Sequence, residues 1–210
     1  MTLRELAAAA ALAALAACTG SVGLERLGAA LKADRDGEPE RALALYGEAI
    51  AAGDLRPDTL AVAYTNRCAV LGETGDAAGA LADCTRALAL APGDAMALTN
   101  RGAAHAALGD YDAAIRDQED AIEGAPALAI AHNNLCNARL ARGDAEAALA
   151  ECDRALDLEP HLPLAHFTRG EVLEALGRPD EARSEFRRAW QLAPDHAQVR
   201  AKAEALGIME

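Results

Sequence analysis

Apolar residues return with helical spacing along Ala95–Leu108, stop at Gly109-Asp110, and resume with the same spacing along Asp112–Glu123. Recurrence at three to four residues is the mark of a helix with one buried face, so this stretch predicts two helices and a turn. The pattern then repeats. Pro92, Pro126, Pro160 and Pro194 stand 34 residues apart, as do Gly75, Gly109, Gly143 and Gly177. Two alanine columns keep the same phase: Ala80, Ala114, Ala148 and Ala182, then Ala87, Ala121, Ala155 and Ala189. A period in this range identifies a stack of supersecondary units. Glycine tolerates the left-handed backbone that ends a helix, aspartate after it can cap the next, and proline halts the second helix.

Residues 1–18 break the pattern. Leu6 to Ala17 is a run of twelve alanines and leucines behind Arg4 and Glu5. It is too short to span a bilayer and suits the apolar core of a signal peptide. Leu15-Ala16-Ala17-Cys18 resembles the lipobox of bacterial lipoproteins, which implies cleavage before Cys18 and lipidation of its thiol. Thr19 in place of aspartate then implies the outer membrane. The competing expectation is an alanine-rich helix opening a cytosolic protein.

The repeat columns resemble the tetratricopeptide repeat, a helix pair with small residues at positions 8, 20 and 27 and proline at 32. Counted so, the array covers 23–196: a degenerate first repeat over 23–60, then 61–94, 95–128, 129–162 and 163–196. A capping helix and tail follow over 197–210, and residues 18–22 form a tether. The resemblance implies an all-α, right-handed α-α superhelix of about five helix pairs. Thr19 to Val22 reach at most about 14 Å, so a lipidated array would lie close to its membrane.

Composition sharpens this reading. The 210 residues are 52% apolar but only 3% aromatic, so alanine and leucine must fill the core. Alanine favours closely approaching helices. With 33 acidic and 20 basic side chains the net charge is -13, against the basic surface that nucleic acid requires. The apolar fraction excludes a disordered acidic chain.

Within the resemblance, positions 8 and 24 face each other across a helix pair. They are both cysteine in repeats 2 and 4 and in no other full repeat: Cys68 with Cys84, Cys136 with Cys152. Four cysteines allow three pairings, and the repeat geometry implies these two, which an oxidising compartment would close. Their other reading is as small buried hydrophobes. No cysteine or histidine pair has close metal-ligand spacing, and no metal or cofactor is expected.

No phosphate loop, nucleophile elbow or zinc-protease motif occurs, so no catalytic residue is assigned. Residues 34–38 hint at a calcium loop, but the glycine is misplaced and the distal glutamate missing. His132, His166 and His105 occupy packing positions. In the family the first helices line a groove, where position 6 gives Asn66, Asn100 and Asn134. That row resembles the asparagine ladder that holds a peptide backbone, the amide offering donor and acceptor together. Asn133 and Asn137 would widen it in repeat 4. Val62, Met96, Ile130, Leu164 and Phe167 add an apolar stripe, and the lysines and arginines of chaperone-tail binders are missing. Arg67, Arg101 and Arg169 at position 7 are expected as packing stems with solvated heads.

The sequence therefore points to a non-enzymatic adaptor that binds a peptide or protein at the bacterial envelope, lipid-anchored and facing the periplasm. The alternatives are a cytosolic scaffold without lipid, or an exported disulfide-containing repeat protein with an enzymatic activity that no motif reveals.

Overall fold

A computed structural model describes Gly20–Met209; the apolar run at 6–17 and Cys18 lie outside the described residues. The described residues form eleven helices and no strand, an all-α fold. They are α1 (Val22–Arg35), α2 (Pro39–Ala51), α3 (Pro57–Glu73), α4 (Ala77–Leu90), α5 (Ala95–Ala107) and α6 (Tyr111–Gly124). The others are α7 (Ala129–Arg142), α8 (Ala145–Leu158), α9 (Pro163–Ala175), α10 (Pro179–Leu192) and α11 (Ala197–Leu206). None of them is long and apolar enough to cross a membrane.

The turn chemistry follows the columns. Gly75 and Gly143 sit at φ 88° and 97°, where a side chain would be strained. Asp76 and Asp110 accept from the backbone N–H of Gly79 and Ala113 and cap their helices. Asp144 does not cap; its carboxylate is held by Arg142 instead. α4, α6, α8 and α10 each end two residues before the column proline, because the residue preceding proline is pushed out of the helical region.

Two compact units divide at Leu108/Gly109. In the first, α1 packs on α2, α2 on α3, and α3 on both α4 and α5. Leu27, Ala30, Tyr46 and Val70 share one buried apolar cluster there. In the second, α7 packs on α6, α8 and α9, and α9 on α8 and α10. There Phe167 and Phe186 meet edge to face at 5.4 Å, and α11 closes the cluster with Val199 and Ala203.

The facing positions 8 and 24 are matched in volume. Ala30 stands with Tyr46 in repeat 1, both fully buried. In repeat 5, a Cβ added at Gly170 would come within 2.7 Å of the Phe186 ring, so only glycine admits that phenyl. In repeats 2 and 4 the same place is filled by the disulfides Cys68–Cys84 and Cys136–Cys152, each with Cα atoms 5.5 Å apart, the pairing implied by the repeat geometry.

Candidate functional site

The first helix of each repeat places its chemistry by position. In unit 1, Asn66 on α3 and Asn100 on α5 are both half-buried. Asn66 Nδ2 donates to the Val62 carbonyl of its own helix at 2.9 Å, so part of its amide is spent internally. Thr65 Oγ1 donates to Asp94 at 3.3 Å, while the other carboxylate oxygen of Asp94 caps α5 at Met96 and Ala97. Asp94 thereby ties α3 to the start of α5 and sets the spacing of the two helices.

Between those helices lies a cavity of about 300 Å³. Ala69, Gly72 and Glu73 form one wall and Asn100, Ala103 and Ala107 the other, with Cys68 of the buried disulfide behind them. The wall is mainly apolar; Glu73 is the one charged residue lining it. Val62 and Met96, both 46% exposed, stand one turn towards the helix N-termini from the two asparagines.

In unit 2, Asn134 is half-buried and Asn137 exposed on α7. Asn133 is not on that surface. It is 2% exposed, and its Oδ1 is buried without a hydrogen-bond partner. Position 5 turns inward here, as the burial of Phe167 at the same position of repeat 5 also shows, so Asn133 does not widen an open polar strip. The apolar stripe is likewise uneven: Ile130 and Leu164 are half-buried and Phe167 belongs to the core. Glu171 sits half-buried on α9, and its burial pushes its carboxyl above the usual range; Lys202 opposes the shift and Glu174 adds to it.

The heads of the position-7 arginines Arg67 and Arg169 are paired with carboxylates, where solvated heads were expected. Arg67 donates through Nε at 2.5 Å and Nη2 at 2.9 Å to Asp83, which is 3% exposed in its side chain and also takes Arg86 at 3.0 Å. Arg169 likewise reaches Glu185 and Asp153, each at 2.7 Å. A buried carboxylate must be paired, and that requirement draws the guanidinium inward. The signal lay in the sequence as an acidic column, Asp83, Asp117, Glu151 and Glu185, 34 residues apart, of which Asp83, Asp117 and Glu185 stand 16 after Arg67, Arg101 and Arg169.

His132 and His166 bridge the same column to the preceding repeat. His132 Nδ1 lies 2.9 Å from Glu151 and its Nε2 3.3 Å from the Pro126 carbonyl; for His166 the partners are Glu185 at 2.6 Å and Pro160 at 3.1 Å. Burial works against the charge on Glu185, but the His166 hydrogen bond and Arg169 outweigh it and hold its carboxyl below the ordinary range. These groups are committed to holding helices together. Among the described residues no cluster of three potential metal ligands occurs.

Comparison with known proteins agrees with this architecture. Two family models, both described as tetratricopeptide repeat, match residues 70–130 and 139–206. No curated protein matches the sequence. The structure is similar to that of a thermophilic TPR protein in Thermus thermophilus, with TM-score 0.75 and 21% identity, over 90% of this chain and 100% of that one. YrrB, described as a TPR protein with an unusual peptide-binding site, matches with TM-score 0.61 and 18% identity over 93% and 99% of the two chains. The first TPR of Spaghetti (RPAP3), bound to the HSP90 peptide SRMEEVD, matches with TM-score 0.50 and 22% identity over 54% and 90%. At these identities the likeness is one of fold.

Proposed function

The chain carries tetratricopeptide repeats over more than half of its length, and on that premise we propose that it is a non-enzymatic scaffold that binds a partner peptide or protein. The observation that carries this reading is the position-6 amide in each unit, Asn66 and Asn100 in the first and Asn134 in the second. Asn100 and Asn134 stand half-buried on the first-helix faces of their units with amides that no described side chain or backbone group engages. An amide held at a surface in that state offers a peptide group both the donor and the acceptor it needs. Asn66 keeps an acceptor oxygen, and Asn137 adds an exposed amide in unit 2. Two proteins of the same fold are described as having a peptide-binding site or a bound peptide, which supports the class of ligand.

The cysteine chemistry supports a place for the scaffold. Four of five cysteines are closed in disulfides, a state that persists in oxidising compartments and is rare in reducing ones. The fifth, Cys18, ends the lipobox-like segment. The reading is therefore an exported protein, tethered through Cys18 to the envelope and facing the periplasm.

Crosslinking in the host, with the full chain and with Asn66, Asn100 and Asn134 all changed to alanine, tests the scaffold. Loss of the captured partners in the triple variant is the expected result. Unchanged capture would remove these amides from recognition. In parallel, Cys18→Ser should shift the protein from the membrane fraction; if it does not, the tether is wrong while the scaffold reading remains.

A further inference from the structure

Repeats 2 and 4 carry the same disulfide at the same positions, which makes one a template for the other. Over Cys136–Cys152, Leu140 and Leu176 pack on a core that contains Val172. Over Cys68–Cys84 the residue in register with Leu140 is Gly72, and the residue in register with Val172 is Ala104. The cavity between α3 and α5 lies where those side chains would be: Gly72, Ala104 and Cys68 all line it. A Cβ built on Gly72 meets nothing within 4 Å. Repeat 4 fills this place with its own leucine, and repeat 2 leaves it to something else.

We infer that the cavity is a subsite for a leucine-sized aliphatic side chain of a partner peptide whose neighbouring residue is lysine or arginine. The inference rests on the peptide-binding reading above and names the ligand class for unit 1. The size is read from the molecule itself, since the missing groups are a leucine side chain at 72 and two methyls at 104. Asn100 and Glu73 are the polar side chains of the lining and the rest is alanine, glycine and Cys68, so an apolar side chain finds mainly apolar walls there. The basic neighbour follows from charge. Glu73 is exposed at the cavity edge with no ion pair among the described residues, and no lysine or arginine lines the cavity. In repeat 4, where the leucine is built in, the residue in register with Glu73 is Ala141. The acid accompanies the open cavity and is replaced where the cavity is filled.

The test uses the full chain, ¹⁵N-labelled, titrated to millimolar concentration with three short Gly-Ser peptides. They carry an adjacent leucine–lysine, alanine–lysine or leucine–glutamate pair. The leucine–lysine peptide should move the amide resonances of Gly72, Ala103 and Ala107. The alanine–lysine peptide should bind about tenfold more weakly, the share of apolar burial lost in a partly open site. The leucine–glutamate peptide should bind at least about two- to fivefold more weakly, the range of one exposed charge pair. Gly72→Leu, which supplies the plug from within, should abolish the shifts, and Glu73→Gln should erase the preference for lysine. Equal binding of leucine and alanine peptides, no shift with any peptide, or undiminished binding to Gly72→Leu would each overturn the subsite. Host crosslinking separates the two readings. If Gly72→Leu still captures the wild-type partners, the subsite falls and the scaffold stands; if the wild-type chain captures none, the scaffold reading falls.

Discussion

Removing the Cys68–Cys84 bridge should cost the fold about 3 kcal/mol at 25 °C. The two cysteines are 16 residues apart, and closing a loop of that length in the unfolded chain removes entropy worth that amount in the chain-entropy model. Both sulfurs are buried, Cys68 at 1% and Cys84 at 0% exposure, so the Cys68→Ala/Cys84→Ala variant also loses core contacts and the figure is a floor. With a urea dependence of about 2 kcal/mol per molar, the unfolding midpoint of the variant should fall by about 1.5 M without reductant. The same protein supplies its own control. Reductant should lower the wild-type midpoint, and it should act on the variant only through Cys136–Cys152, which closes a loop of the same length in the other unit. Thiol titration in denaturant without reductant should find at most one free thiol among five cysteines, that of Cys18. A midpoint within about 0.3 M of wild type, or more than one titrating thiol, would refute the reasoning.

Two further outcomes are expected. Arg67→Met should destabilise by about 3 kcal/mol, because Asp83 stays buried with only the 57%-exposed Arg86 beside it; Arg67→Met/Asp83→Leu should recover most of that loss in urea melts, and a double variant worse than the single would contradict it. Glu171→Gln should raise the melting midpoint at pH 7: burial lifts the folded carboxyl above its unfolded value, so ionised Glu171 costs stability above that range and none once pH falls below about 4. A gain that persists unchanged into acid would contradict the assignment.

The helix pairs were legible because their punctuation is local. The helix end at Gly143 takes a positive φ that glycine admits without strain, and Pro160 stops a helix whatever packs on it. The coincidence of cysteines at 8 and 24 was legible because the repeat supplies a ruler, and the structure joins the same pairs. The direction in which a polar side chain turns was not. Asn133 and Asn134 are adjacent and chemically identical, yet one is buried and the other half-open, since about 100° of helix rotation separates them. The pairing of the Arg67 head was not legible either, because its partner Asp83 lies 16 residues away, outside any helical window. The cavity was hidden for a different reason: Gly72 is informative only against Leu140, a difference between repeats where the columns record sameness.

Each bridge binds the two helices of one repeat and crosses to no neighbour. In a stacked-repeat protein, stability is a sum of within-repeat and between-neighbour contributions, and such a bond strengthens only the former. Each unit then holds one helix hairpin that cannot come apart. When heat, denaturant or a pulling partner loosens the flanking repeats, that hairpin persists as a seed. The costly first turn of helix need not be rebuilt from a disordered chain, so loosened neighbours redock on a surface already formed. Hydrogen exchange should show the slowest amides of each unit at its bridged repeat, with protection fading away from it.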